Sequence, residues 1–274
     1  MNPLDIAILL VAAVAGLASV LAARNVGPGV WLLSLWRWAD PYVGCYIRRS
    51  PATFGYAAVL FVTTWVVAGT SPQIAAALLR SQSTNLENLR AHPIDVLFRS
   101  AFWSGGRTVL PVIAALAVVL APVEVWLGTA RLILTFAAGH IGATLITAVA
   151  ISHGFFTSSA ATGINRAIDV GVSYGTVCVA AVLIHRLPRR SRLPAAAALL
   201  VAFGLLAFVI SKTFTDFGHF SALLIGFAIY PLVHLHSSAV AERARIPLYR
   251  PWRQVSAAAP RPGVTAGPVP ELDD

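Results

Sequence analysis

A chain of 274 residues that is 57% apolar, only 11% charged and has a mean hydropathy of +0.75 carries too little polar surface to solvate a water-soluble globule. That composition excludes a soluble enzyme or binding domain and makes lipid the solvent. The formal net charge of +9 and the pI of about 10.5 rest on Arg scattered among apolar segments, with no basic groove, so they point to anionic lipid headgroups and away from nucleic acid.

Crossing a hydrocarbon core about 30 Å thick takes roughly 20 apolar residues at about 1.5 Å per residue, and the sequence offers seven such stretches. The first is predicted from Pro3 to Ala23. Asp5 stands where a cleaved signal peptide carries positive charge, so this span is read as retained. A stretch bearing Trp31, Trp36, Arg37, Trp38, Arg48 and Arg49 follows and reads as an interfacial connection with aromatic anchors. The remaining spans are predicted at Ala52–Gly69, Val109–Leu127, Leu132–Ile151, Ala167–His185, Ala195–Ser211 and Phe217–His236. A connection from Thr70 to Thr108 is too long for a turn, and its apolar pieces, Ile74–Leu79 and Val96–Trp103, suit a half-buried interfacial position. From Ala239 the composition shifts to Arg, Pro, Ala and Gly and closes with Glu271, Leu272, Asp273 and Asp274, which reads as an unstructured tail.

The predicted fold class is therefore all-α, a polytopic membrane helix bundle. Residues 1–49 form an extra N-terminal transmembrane helix with its connection, residues 50–238 a six-helix core, and residues 239–274 a disordered cytoplasmic tail. With the N-terminus outside, fourteen basic residues fall on the cytoplasmic side (Arg24, Arg37, Arg48, Arg49, Arg131, Arg186, Arg189, Arg190, Arg192, Arg243, Arg245, Arg250, Arg253, Arg261) and six on the outer side, which sets the orientation. Ala- and Arg-rich usage with a single Lys suggests a bacterial plasma membrane. Cys45 and Cys178 have no metal-ligand spacing and read as small apolar residues, not as a disulfide.

Polar groups inside apolar spans are costly unless paired or facing a cavity, so their concentration is informative. The fifth span contains Asp169, Gly171, Ser173, Tyr174 and Gly175; the last opens with Asp216, Gly218, His219, Ala222 and Gly226. Ser173 and His219 fall at similar depth near the outer surface. Gly171 and Gly175, and the stripe of Gly218, Ala222 and Gly226, provide small residues that let two helices approach closely. A hydroxyl and an imidazole so placed are the minimum for a serine nucleophile with a histidine general base. Gly171 to Gly175 also spells Gly-x-Ser-x-Gly, but that motif needs a strand and a sharp turn, which a transmembrane segment does not supply.

From Ser50 to Leu235 these residues resemble the rhomboid superfamily of intramembrane serine proteases. Ser50, Pro51, Ala52 and Thr53 are similar to the start of its core, and Val123, Glu124, Leu127 and Gly128 resemble the Val-Glu-x-x-Leu-Gly that ends its second helix. Gly171 and Ser173 match its Gly-x-Ser, and His219, Ala222 and Gly226 its His-x-x-Gly-x-x-x-Gly with Ala for one Gly. The long connection matches its lateral loop. The resemblance implies that Ser173 attacks the scissile carbonyl of a transmembrane protein substrate and His219 shuttles the proton, with no cofactor and with membrane lipids as surroundings. Besides Ala222, the chain departs from the pattern in two places: Tyr174 replaces a Gly, and the second core helix has no His-x-x-x-Asn.

Asp169 and Asp216 are candidates to orient His219, and His153 or His140 to donate to the oxyanion. Each has a plainer reading: Ser173 as a packing serine bonded to a carbonyl, His219 as a satisfied membrane histidine, Asp169 paired with Arg166 or His153, and His140 bonded to a neighbouring helix. A metal site of His140, His153, Asp169 and His219 lacks a compact spacing motif. Two functions remain, an intramembrane serine endopeptidase and an inactive rhomboid-like protein that binds transmembrane helices of client proteins. A transporter ranks third for want of an inverted repeat.

Overall fold

The structure, a computed structural model, describes residues 13–17, 19–21, 23–24, 27–105, 109–156 and 170–234. The described residues 13–17, 19–21 and 23 of the first predicted span are helical; the rest of that span, Asp169, Arg166 and the predicted tail lie outside the described residues. Every regular element among the described residues is helical.

Helix α1 (Gly27–Arg49) occupies the stretch read as an interfacial connection, so that stretch is one continuous 23-residue helix. Its last turn docks on the core, where the Tyr46 hydroxyl donates to the Ala117 carbonyl at 2.6 Å. The next helix, α2 (Pro51–Ala68), begins with Pro at the first helical position, where a missing N–H costs nothing. The long connection folds into three short helices, α3 (Pro72–Ser81), α4 (Leu86–Ala91) and α5 (Pro93–Ser100). They bury Leu79, Leu86, Val96 and Ser100 and turn Ile74, Ile94 and Phe98 outward, the half-buried arrangement of an interfacial segment.

The bundle continues with α6 (Leu110–Leu127), α7 (Thr129–Ser152), α8 (Ser173–Ile184), α9 (Arg189–Leu205, extended by a π-turn over Leu206–Ile210) and α10 (Phe214–His234). Five of these helices, α2, α6, α7, α9 with its π-turn, and α10, are long and apolar enough to cross a membrane, and α8 is a shorter apolar sixth. The chain is thus a multi-pass membrane helix bundle in contact with lipid.

Helices α7, α8 and α10 pack pairwise, with α8 at the centre. Glycine makes this possible. An added Cβ at Gly139 would lie 2.2 Å from Cys178 Cβ, at Gly175 2.5 Å from the Phe136 ring, and at Gly226 2.3 Å from the Cys178 carbonyl oxygen. Helix α9 is the opposite case, since no residue of Arg189–Leu205 is buried.

The two motifs that resemble the rhomboid core meet physically. Glu124, buried at the end of α6, accepts the amides of Ala52 and Thr53 at 3.0 and 2.8 Å, the Thr53 hydroxyl at 2.7 Å and the Thr129 hydroxyl at 2.8 Å. A carboxylate on the orphan amides of a helix N-terminus satisfies both the donors and the macrodipole. Gly128 turns the chain from α6 into α7 at φ 90°, a conformation costly for any residue with a Cβ.

Candidate functional site

The fifth predicted span was placed from Ala167, but its helix begins only at Ser173, with Gly171 and Val172 in a bend before it. Gly171 is therefore not on the helix: it sits at φ 148°, where glycine is strongly favoured, and its N–H donates to the Ser100 carbonyl at 3.0 Å. Twelve residues make α8 about 18 Å long, well short of a core about 30 Å thick. Ser173 opens α8 and His219 is the sixth residue of α10, and the two helix starts are brought together where the Tyr174 ring meets His219.

Ser173 is half-buried, and among the described residues its hydroxyl makes no hydrogen bond. Its neighbours behave otherwise. Thr176, Thr135 and Ser221 each turn their hydroxyl back onto the carbonyl four residues earlier, at 2.7, 2.7 and 2.9 Å. The first helical bond of α8 runs from the Thr176 amide to the Val172 carbonyl, so the amides before Thr176 have no acceptor within the helix.

His219 is also half-buried and meets the site through ring contacts, with Tyr174 at 5.1 Å between centroids and Phe203 at 6.0 Å. Tyr174 fills the notch left by Gly218, where an added Cβ would lie 2.4 Å from the tyrosine ring. Ala222 is fully buried beside Tyr174 and Cys178, and Gly226 abuts Cys178 and Ala181, so Gly218, Ala222 and Gly226 line the face of α10 against α8. Asp216 is engaged by Thr213, whose hydroxyl donates to its carboxylate and accepts its amide N–H at 3.1 Å, an N-terminal capping pair. It acts on His219 through space, not through a hydrogen bond.

The other histidines separate. His153 caps the exposed end of α7 and turns Nδ1 to the Val149 carbonyl at 2.9 Å and the Ser152 hydroxyl at 3.3 Å. His140 is buried, and its Nε2 lies 3.0 Å from the Leu97 carbonyl and 3.1 Å from the Ser100 hydroxyl, while the Gly171 carbonyl also faces the ring. A carbonyl can only accept, so Nε2 carries the proton. Nδ1 is left buried without a hydrogen-bond partner. Ser100 thus holds both His140 and Gly171, and residues 97–102 form a strap over the start of α8. The strap is fixed from α2 as well, where the Tyr56 hydroxyl donates to the Ala101 carbonyl and the Thr63 hydroxyl to the Phe102 carbonyl at 2.8 Å. Ser100 and Gly139 carry no sequence signal of their own, because each acts on an element distant in the chain. Among the described residues no group of three or more His, Cys, Asp or Glu side chains is placed to hold a metal ion.

A protein-family model described as rhomboid-like protein matches residues 45–239. The chain belongs to the rhomboid-like family. No curated protein and no solved structure matches it at a significant level. The matched region runs from the last turn of α1 through α10 and contains the Glu124 clasp, the strap, Ser173 and His219.

Proposed function

We propose that this rhomboid-like protein is an intramembrane serine endopeptidase that cuts a transmembrane or juxtamembrane segment near the outer face, with Ser173 as nucleophile and His219 as general base. The observation that carries this reading is the Ser173 hydroxyl, which makes no hydrogen bond among the described residues and stands at the first position of a short central helix. A serine kept only for packing would return its hydroxyl to a carbonyl, as Thr176 and Ser221 do. In the proposed reaction the Ser173 Oγ attacks the scissile carbonyl, His219 takes its proton and returns it to the leaving amine, and water then releases the acyl group. Backbone N–H groups at the start of α8 stabilise the oxyanion in place of the absent His and Asn, while His140, whose Nε2 proton is given to the Leu97 carbonyl, supports the site by holding the strap beside Gly171. Catalytic hydrogen bonds are often loose before substrate binds, so a Ser173–His219 bond is expected only in the complex.

One observation favours the second reading, a non-cleaving protein that binds client transmembrane helices. The Tyr174 ring stands against His219 and fills the Gly218 notch, so a bulky side chain occupies the space beside the proposed base. Labelling of the detergent-solubilised protein with a fluorophosphonate probe decides between them. Labelling that disappears in Ser173→Ala and His219→Ala supports the protease; an unlabelled, folded wild type selects the client-binding reading.

For the rest of the chain we propose the bacterial plasma membrane, the N-terminus outside, residues 1–49 as an additional anchor and residues 239–274 as a cytoplasmic tail. The support is charge: Arg131, Arg186, Arg189, Arg190 and Arg192 gather at the end of the bundle opposite Ser173.

A further inference from the structure

Helices α7 and α10 approach closely at Gly142, where an added Cβ would lie 2.8 Å from Ile225 Cδ1. From there to Arg131 the two helices line an open groove of about 540 Å³. Its floor is made by small residues, Ala138 and Gly142 on α7. Its walls are Leu134 and Leu232, 62% and 69% exposed, and Arg131 stands at its mouth. We propose that this groove holds one acyl chain of an anionic glycerophospholipid whose phosphate rests on Arg131.

Length, width and charge all select that occupant. From Arg131 to Gly142 the helix rises roughly 16 Å, which is half of a core about 30 Å thick, the reach of one leaflet. The groove lies between two packed helices and is lined by Ala138 and Gly142, a slot on the scale of a hydrocarbon chain and not of a transmembrane helix about 10–12 Å across. A second helix could lie over the groove; it could not fill it. Arg131 donates one hydrogen bond, from Nη1 to the Leu127 carbonyl at 3.3 Å, which fixes the side chain and leaves its other donors uncommitted. Among the described residues no carboxylate is within ion-pair distance of it, and Glu124, at the end of α6, is saturated by its four donors. An apolar slot one leaflet long that ends in an unpaired guanidinium matches an amphiphile with an anionic head, and basic sites between transmembrane helices bind such headgroups.

The test is native mass spectrometry of the full chain, delipidated in detergent and titrated with dioleoyl phosphatidylglycerol, dioleoyl phosphatidylcholine or water-soluble glycerol phosphate. Phosphatidylglycerol is expected to bind at one saturable site, with phosphatidylcholine weaker by roughly 5-fold, because both carry the phosphate but the choline cation offsets its charge beside Arg131. Arg131→Gln is expected to lose that preference, Arg131→Lys to retain most of it, and Ala138→Leu, which fills the slot without touching the charge, to weaken both lipids. Helix content by circular dichroism identifies variants that remain folded, and Ala138→Leu and Arg131→Lys give two independent routes if Arg131→Gln is lost. Equal binding of the two lipids, unchanged binding in Arg131→Gln or Ala138→Leu, or full competition by glycerol phosphate would overturn the proposal.

Discussion

Replacing Glu124 by Gln preserves shape and isolates the acceptor capacity of the clasp between α6 and the start of α2. The carboxylate takes two donors on each oxygen: the Ala52 amide and Thr129 hydroxyl on Oε1, and the Thr53 amide and hydroxyl on Oε2. Gln keeps one acceptor oxygen and turns an NH₂ toward the other pair. The hydroxyl in that pair can rotate to accept from the NH₂, but the backbone amide cannot, so one charge-assisted bond is lost and one N–H is stranded. At about 1.5–3 kcal/mol for the bond and about 1–3 for the stranded donor, with a further ~0.3–1 for the carboxylate at a helix N-terminus, the cost is about 3–7 kcal/mol. Typical domain stability is about 5–15 kcal/mol, so the effect is a large share of the total. Equilibrium unfolding with sodium dodecyl sulfate in mixed micelles, followed by circular dichroism, measures it. Thr53→Val should be non-additive with Glu124→Gln, because the two share a network. A Glu124→Gln cost below about 0.5 kcal/mol, or simple additivity with Thr53→Val, would refute the clasp as a main support of the fold.

Gly226→Ala places a methyl 2.3 Å from the Cys178 carbonyl oxygen, which belongs to backbone and cannot turn aside, so a loss of about 1–3 kcal/mol is expected in the same unfolding assay. Gly171→Ala forces a Cβ onto a backbone at φ 148° and should cost about 1–3 kcal/mol while also reducing probe labelling of Ser173, because the turn it shapes leads directly into α8. His140→Phe removes the partner of the buried Ser100 hydroxyl and Leu97 carbonyl, and hydrogen exchange over residues 93–102 should rise at a cost of about 1–3 kcal/mol. Tyr174→Gly clears the space beside His219 and is expected to increase fluorophosphonate labelling if Ser173 is the nucleophile; no labelling in either wild type or this variant supports the client-binding reading.

Hydrophobic run length was enough to place the spans, because lipid leaves the backbone no partner but its own helix, and the observed helices Pro51–Ala68, Leu110–Leu127 and Phe214–His234 start and stop within a few residues of those runs. The stretch around Trp31 and Trp36 read as an interfacial connection yet is helical from Gly27 to Arg49, since its charged and aromatic residues interrupt hydropathy without interrupting helix propensity. The rhomboid-like family was legible in short motifs: Gly128 must turn the chain at a positive φ, and Gly226 has no room for a side chain against Cys178 and Ala181.

Tertiary structure decided what the motifs do. Composition could list Ser173, His219, Asp216, His140 and His153, but could not say that Thr213 engages Asp216, that His140 belongs to a strap held by Ser100, or that His153 faces its own helix end. Nor could it show that α8 starts at Ser173, directly after the turn shaped by Gly171. The division has one physical cause. Burial in lipid is a property of each segment alone and is written in its composition, whereas a hydrogen bond between Ser100 and His140, or a groove between α7 and α10, exists only once segments far apart in the chain have packed.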